Sequence, residues 1–207
     1  VTEKSGATSW DDIVDAKNGF RLLTTKVGGT GETGVRQVLT LLGSSKEDVA
    51  SKGGNVQAMA RKATASAIAD GKAEGWAHVV TKGHPVATQL TTTTAMKMLP
   101  LPTNVINGLV AKHGWIEATV PPNTFKGQTE AVQTVKASSN ILVHADLPDE
   151  IAYTFVKTMI ENAEKLKKVH AGLGNFDPTL AADPGFNGNC ELHPGAATYY
   201  KEAGLLK

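Results

Sequence analysis

The sequence predicts an α/β fold with mainly parallel strand pairing, and three observations carry that prediction. Strand-like apolar runs alternate with helical patterns along the chain. An apolar and β-branched run, Leu22 to Val27, ends in a glycine-rich turn from which an amphipathic helix opens directly. The consecutive apolar residues Ile141, Leu142 and Val143 read as a buried strand.

The elements follow in order. Ser9 with Asp12 three residues on is an N-cap with an acid at the third helical position, which opens a short helix through Ala16. Gly19 and Phe20 lead into the first strand, and the helix after the glycine turn runs to Leu42, closed by Gly43. Val56, Met59, Ala60, Ala63, Ala67 and Ile68 recur at three- and four-residue spacings, so a longer helix is expected there, stopping near Gly71. Trp76, Ala77, Val79 and Val80 predict a strand, and Pro85 at a first helical position predicts a helix carrying Val86, Ala87 and Leu90. Met96 to Leu101 reads as a short strand and residues 103–113 as a helix.

Pro121 and Pro122 open an irregular stretch, PPNTFKGQTE, expected to be an ordered loop. Pro148, Asp149 and Glu150 start the longest helix after the Ile141–Val143 strand. Its expected core face is Ile151, Phe155, Val156, Met159, Ile160, Ala163 and Leu166. The remainder is loop-rich with a short terminal helix.

Composition narrows the classes. A chain of 207 residues makes one large domain or two small lobes. A net charge of +1 gives no electrostatic footprint for nucleic acid or an anionic membrane. Lys165, Lys167 and Lys168 read as a solvated helix face, and no apolar run approaches the roughly 20 residues of a membrane span. The one cysteine, Cys190, excludes an intramolecular disulfide and a cysteine zinc cluster. His78, His113, His144 and His170 lack metal-ligand spacing, so neither a metal nor a cofactor is expected. Val1 to Lys4 lack the features of a signal peptide, which fits a cytosolic protein or one whose leader has been removed.

The glycine turn is the chemically informative feature. The first N–H groups of a helix have no intrahelical partner and sit at the positive end of its dipole, so they can cradle a carboxylate or phosphate. Gly29, Gly31 and Gly34 also spell G-x-G-x-x-G. A dinucleotide unit needs a second buried strand ending in an acid roughly 20 residues on, and SSKEDVASKGG offers only Val49 as a β-forming apolar residue. The context argues against a nucleotide.

The segments SGATSWDDI, KVGGTGE, AIADGKAEGWAHVVTKGHP, NTFKGQ, ILVHADLPDEIAYTFVKTMIEN and LHPGAATYYKEAGLL, in that order, resemble the TAXI-type solute-binding receptors of TRAP transporters. The resemblance covers nearly the whole chain, with Leu147 to Glu150, Leu192 to Ala196 and Tyr199-Tyr200 its most specific parts. It implies a type II periplasmic-binding-protein fold, two α/β lobes hinged around a cleft. The implied protein is periplasmic or otherwise extracytoplasmic and hands a small organic anion or amino acid to membrane permease subunits, without inserting into the membrane itself. The family's G-S-G-T-E-like turn is here Gly28-Gly29-Thr30-Gly31-Glu32, with threonine and glycine exchanged. Family members begin with a lobe I segment that this chain is expected to lack. Residues 6–137 are therefore expected to form a complete lobe II, and residues 1–5 with 138–207 a remnant of lobe I with an open sheet edge.

Candidate ligand contacts are Thr30, Gly31, Glu32 and Thr33, through backbone N–H and hydroxyl groups, or else these residues are only turn and N-cap positions. Glu32 suits an anion site poorly, so its side chain is expected to cap the helix or face solvent. Thr81, Gly83 and His84 follow a strand C-terminus, where ligands of α/β proteins sit, and His84 could donate to a carboxylate. The bland alternative for His84 is an exposed loop histidine before a helical proline. Phe125 stands where the family tends to have an aromatic in a hinge-proximal loop, closing over the ligand or anchoring the loop. His193, Tyr199 and Tyr200 read as packing residues, and Trp10, Trp76 and Trp115 as core. No enzyme signature is present: no G-x-S-x-G elbow, no Walker A lysine, no Cys/His motif. Three readings remain: a solute-binding receptor, a receptor-like interaction module that binds no solute, and a transferase on the same fold.

Overall fold

The structure, a computed structural model, describes residues 1–188 and 190–206; Asn189, inside the expected C-terminal loop, lies outside the described residues. The chain divides into two units, Val1–Lys136 and Ala137–Lys207.

The first unit is built on a parallel sheet of three strands in the order β2-β1-β3, with β1 Arg21–Thr24, β2 Asn55–Ala58 and β3 Gly75–Trp76. Successive residues of a strand face opposite sides, and β1 uses both. Leu22 packs with Phe20, Ile13, Val35, Leu39, Val49, Val105 and Leu109, whereas Leu23 packs with Ala65, Ile68, Val86 and Leu90. Apart from Phe20, which immediately precedes β1, the first set lies on α1 Trp10–Val14, α2 Thr30–Leu41, α3 Lys46–Ser51 and α6 Thr103–His113, the second on α4 Arg61–Ala69 and α5 Pro85–Thr93. Helices thus cover both faces, as a parallel sheet requires, and three consecutive residues of β1 are buried instead of alternating. Full burial of each of the larger side chains is worth about 1.5–3 kcal/mol.

The local signals act as their chemistry dictates. The Ser9 and Asp12 side chains form a reciprocal capping box at the start of α1. Hydrogen bonds from four groups, the Thr8 N–H foremost and then Lys17, the Thr8 hydroxyl and the Ser9 N–H, hold the Asp12 carboxyl well below the usual carboxylate range. Gly43, at φ 72, ends α2, and Pro85 occupies the first turn of α5. Thr2 bridges to Met96 and donates its N–H to the Glu74 carbonyl at 2.7 Å, so residues 1–5 belong to this unit. An antiparallel pair, β4 Ile116–Val120 and β5 Val132–Lys136, joins the core through Trp115 and Val135.

Several sequence expectations change. Residues 55–58 are strand β2, and the helix begins only at Arg61, because Val56 and Met59 mimic helical spacing while their backbone pairs with β1. β2 ends at Ala58 with no acid, so the dinucleotide pattern still lacks its ribose-binding carboxylate. The strand around Trp76 spans two residues, and of the strand expected at Met96–Leu101 only the single bridge at Met96 forms.

In the second unit α7 Asp149–Glu161 packs against α9 Pro194–Glu202, with α8 Ala163–Val169 following α7. Tyr153 meets Tyr199 edge-on at 5.5 Å, and its hydroxyl donates to Glu202 at 2.6 Å. Gly195 lies so close to the Asp149 backbone that no side chain could replace its hydrogen. The expected buried strand Ile141–Val143 is neither paired nor buried: these residues are 62%, 79% and 46% exposed. A strand needs a backbone neighbour, and among the described residues none lies beside it. For the same reason Ile151 and Phe155, expected in the core, are exposed, and α7 buries Ala152 instead. No helix of the described residues is long and apolar enough to cross a membrane.

Candidate functional site

The parallel sheet has a position where ligand chemistry concentrates. From β1 the chain moves outward to β2, then crosses back over β1 to form β3, so its direction reverses between β1 and β3. At such a switch point the loops after the two strands splay apart and leave a crevice at their carboxyl ends. Those loops are Thr25–Gly29, leading into α2, and Ala77–His84, leading into α5.

The α2 side is built around glycine. Gly28 holds φ 77, and Gly29 is the N-cap. The Glu32 N–H donates to Thr25 Oγ1 at 3.0 Å, and the Thr33 N–H to the Gly29 carbonyl at 2.9 Å. The N–H groups of Thr30 and Gly31 have no acceptor among the described residues. The cradle therefore offers two amides instead of the four that a bare helix start presents. Thr30 is exposed, Gly31 buried and Thr33 half-buried.

Glu32 is buried, and its carboxylate is engaged within the protein. It pairs with Lys46, lies 3.9 Å from Arg36 Nε and accepts the Gly28 N–H at 3.4 Å. The Lys46 hydrogen bond is the largest influence holding its carboxyl below the usual range, against the opposing pull of burial. Glu32 thus ties the glycine turn back onto its own helix, as an acid at the third helical position can.

Across the crevice, Thr81 to His84 form a turn closed by His84 N–H to Thr81 carbonyl at 3.1 Å, with Gly83 at φ 79 as the required left-handed residue. Thr81 and His84 are half-buried, and His84 holds the N-cap position of α5 without a capping hydrogen bond from its side chain. His84 belongs to a ring cluster that local motifs did not indicate. His78 meets His84 edge-on at 5.6 Å, and Trp76 lies 5.4 Å from His78 and 5.9 Å from His84. The Nδ1 atoms of both histidines are buried without a hydrogen-bond partner. Burial, more than any neighbouring charge, lowers the pKa of both imidazoles, and Arg61, the first residue of α4, adds to the effect.

The first turn of α2 meets the Ala77–His84 loop at Gly31. A Cβ there would lie 2.8 Å from His78 Nδ1, 3.0 Å from Thr25 Cγ2 and 3.1 Å from His78 Cα. Gly31 therefore packs against His78, which brings the start of α2 with its two unpaired amides beside the imidazole cluster. Phe125 is not part of this group: it lies half-buried in the loop between β4 and β5, where its N–H donates to Gln128 Oε1 at 3.3 Å. In the second unit His193 caps α9, and its Nδ1 accepts the Gly195 N–H at 3.3 Å. Among the described residues no group of three or more His, Cys, Asp or Glu side chains is disposed to hold a metal ion.

Comparison with known proteins gives one family. The family model described as the NMT1-like family, of the periplasmic-binding-protein type, matches residues 1–204. No curated protein matches the chain.

Proposed function

The chain belongs to the NMT1-like family, and on that premise we propose that it is the solute-binding receptor of a TRAP-type uptake system, of the TAXI kind, which captures a small organic anion or amino acid. The family as a whole has a binding role and the α/β fold that goes with it. The single observation that carries the finer reading is the pair of free amides at Thr30 and Gly31, set at a sheet switch point opposite two imidazoles and Arg61. Helix-start amides and nearby cationic groups select negative charge.

In this reading Thr30 and Gly31 bind a carboxylate through their N–H groups. The Thr33 and Thr81 hydroxyls and His84 supply further hydrogen bonds, and Gly83 lets its loop turn close to the ligand. Glu32 holds the cradle in shape instead of meeting the ligand. The unit of residues 1–136 acts as lobe II and that of residues 137–207 as part of lobe I. The protein works outside the cytoplasm and delivers its ligand to membrane permease subunits.

A panel of dicarboxylates and amino acids tested by thermal shift checks this reading. A working receptor gains about 2.7 kcal/mol at a ligand concentration of 100 Kd. A flat response across the panel favours the second reading, an interaction module without a solute, for which the exposed Ile141–Val143 segment is the supporting observation.

A further inference from the structure

We propose that His78 and His84 set the charge selectivity of the crevice: a carboxylate entering it is captured together with a proton that the imidazole pair takes from solvent. This rests on the crevice reading above and names how that site discriminates among solutes.

The geometry supplies the argument. The two rings stand edge-on at 5.6 Å, both pack on Trp76, and each carries a buried Nδ1 with no partner. Hydrogen-bonding atoms are rarely left so without a reason, since a buried unmet group costs free energy. The groups that face the rings are all neutral or cationic. From α4 comes Arg61, from the β3–α5 segment each imidazole and Trp76, and from α2 the backbone of Gly31. Glu32, the next residue along α2, has its carboxylate occupied by Lys46, Arg36 and the Gly28 N–H. Among the described residues no carboxylate offsets the effect of burial and Arg61 on either imidazole.

The surroundings of the rings therefore disfavour a proton on either histidine, because burial and Arg61 both oppose a further positive charge. A bound carboxylate reverses that balance. It supplies the missing counter-charge and an acceptor for an imidazolium N–H, so as the anion enters the lone pair of one imidazole nitrogen takes a proton from hydronium or a buffer acid, forming an N–H bond as the donor's bond to that proton breaks. By linkage, affinity for an anion rises as pH falls towards the imidazole pKa of the ligand-free protein, while affinity for an uncharged analogue does not. His78 is the more telling of the pair, because its ring also sits against Gly31, beside the free amides.

The test uses the full chain with glutarate as the probe and its diamide as the uncharged control. Calorimetry at pH 7.5 and 6.0, in buffers of different ionisation enthalpy, measures affinity and proton uptake together. Glutarate, mostly doubly charged at pH 6.0 and almost wholly so at pH 7.5, is expected to bind about tenfold more tightly at pH 6.0 and to bring close to one proton to the complex at pH 7.5, where its own ionisation contributes almost nothing. Imidazole carbon-bound proton resonances, followed by NMR from pH 5 to 8.5, are expected to show the His78 or His84 midpoint rising when glutarate is present. His78→Gln is expected to flatten the pH profile. Equal affinity at both pH values with no proton uptake overturns the inference and leaves the crevice reading standing. No binding at either pH removes both. A glutarate-dependent midpoint at neither histidine overturns the inference without recourse to any variant.

Discussion

Replacing Gly31 by alanine probes the crevice at its tightest point. Two terms oppose each other. Alanine in place of glycine in a helix is worth about 0.5–1 kcal/mol. Against that, the new methyl group would sit 2.8 Å from His78 Nδ1, 3.0 Å from Thr25 Cγ2 and 3.1 Å from His78 Cα, where carbon atoms prefer about 3.5–4.0 Å. A swinging imidazole relieves the first clash. The third involves backbone and does not yield without moving the β3–α5 loop. Overpacking of this kind costs about 1–3 kcal/mol, so we expect a net loss of about 1–2 kcal/mol. For a chain of this size that is about 2–8 °C in Tm. Thermal unfolding followed by tryptophan fluorescence measures it. His78→Ala in the same background removes the clash with the ring and leaves the clash with the backbone, so the double variant should recover about 1 kcal/mol relative to additivity. A Gly31→Ala protein as stable as the parent, or more so, would refute the close approach of the first turn of α2 to the Ala77–His84 loop.

The remaining predictions concern charge and exposed surface. Glu32→Gln leaves Lys46 without its partner and should cost about 1–3 kcal/mol at pH 7 in denaturant unfolding. Because the Glu32 pKa is lowered on folding, its contribution is present above about pH 4–5 and lost as pH falls through its folded value, so the parent and the variant should converge in acid. The two imidazoles behave oppositely in sign. With pKa values lowered on folding, they leave stability untouched above about pH 6.5 and erode it below that in the ligand-free protein. His78→Gln should therefore lose less stability than the parent between pH 7 and 5.5, measured by Tm across that range. Leu142→Lys and Phe155→Lys place charge on side chains that are 79% and 46% exposed, so stability should stay within about 0.5 kcal/mol of the parent while binding of a hydrophobic dye falls. A large loss of stability in either variant would mean that those side chains are buried in solution.

Legibility in the sequence followed the range of the interactions involved. Features set within a few residues were readable. The Ser9–Asp12 box, the glycine turn before α2, Pro85 at the start of α5 and the α7 start after Pro148 all rest on local hydrogen bonds or fixed φ. Features set by distant partners were not. Val56 and Met59 have helical spacing, yet their backbone answers to β1, so β2 was hidden. Ile141–Val143 has the composition of a buried strand, but composition cannot supply the neighbour that burial requires. The same split runs through the candidate site. The α2 cradle is written locally in Gly28 to Glu32, whereas its partial occupation by Thr25 and the pairing of Glu32 with Lys46 depend on side-chain packing. His78 had no motif to mark it. Its position one residue beyond Ala77, whose N–H still pairs with Leu23, puts it at the carboxyl edge of the sheet, and the glycine it meets lies in the first turn of α2, far away in sequence. A search for residues just past strand ends would have found it.

The central claim is that the amides of Thr30 and Gly31 hold a negatively charged metabolite at the β1–β3 switch point. Backbone amide resonances of the isotope-labelled chain, titrated with glutarate at pH 6.0, test it most directly. The account predicts saturable shifts that are largest at Thr30 and Gly31 and extend to Thr81–His84. Saturable binding that leaves those two amides unmoved while shifting residues elsewhere would contradict it.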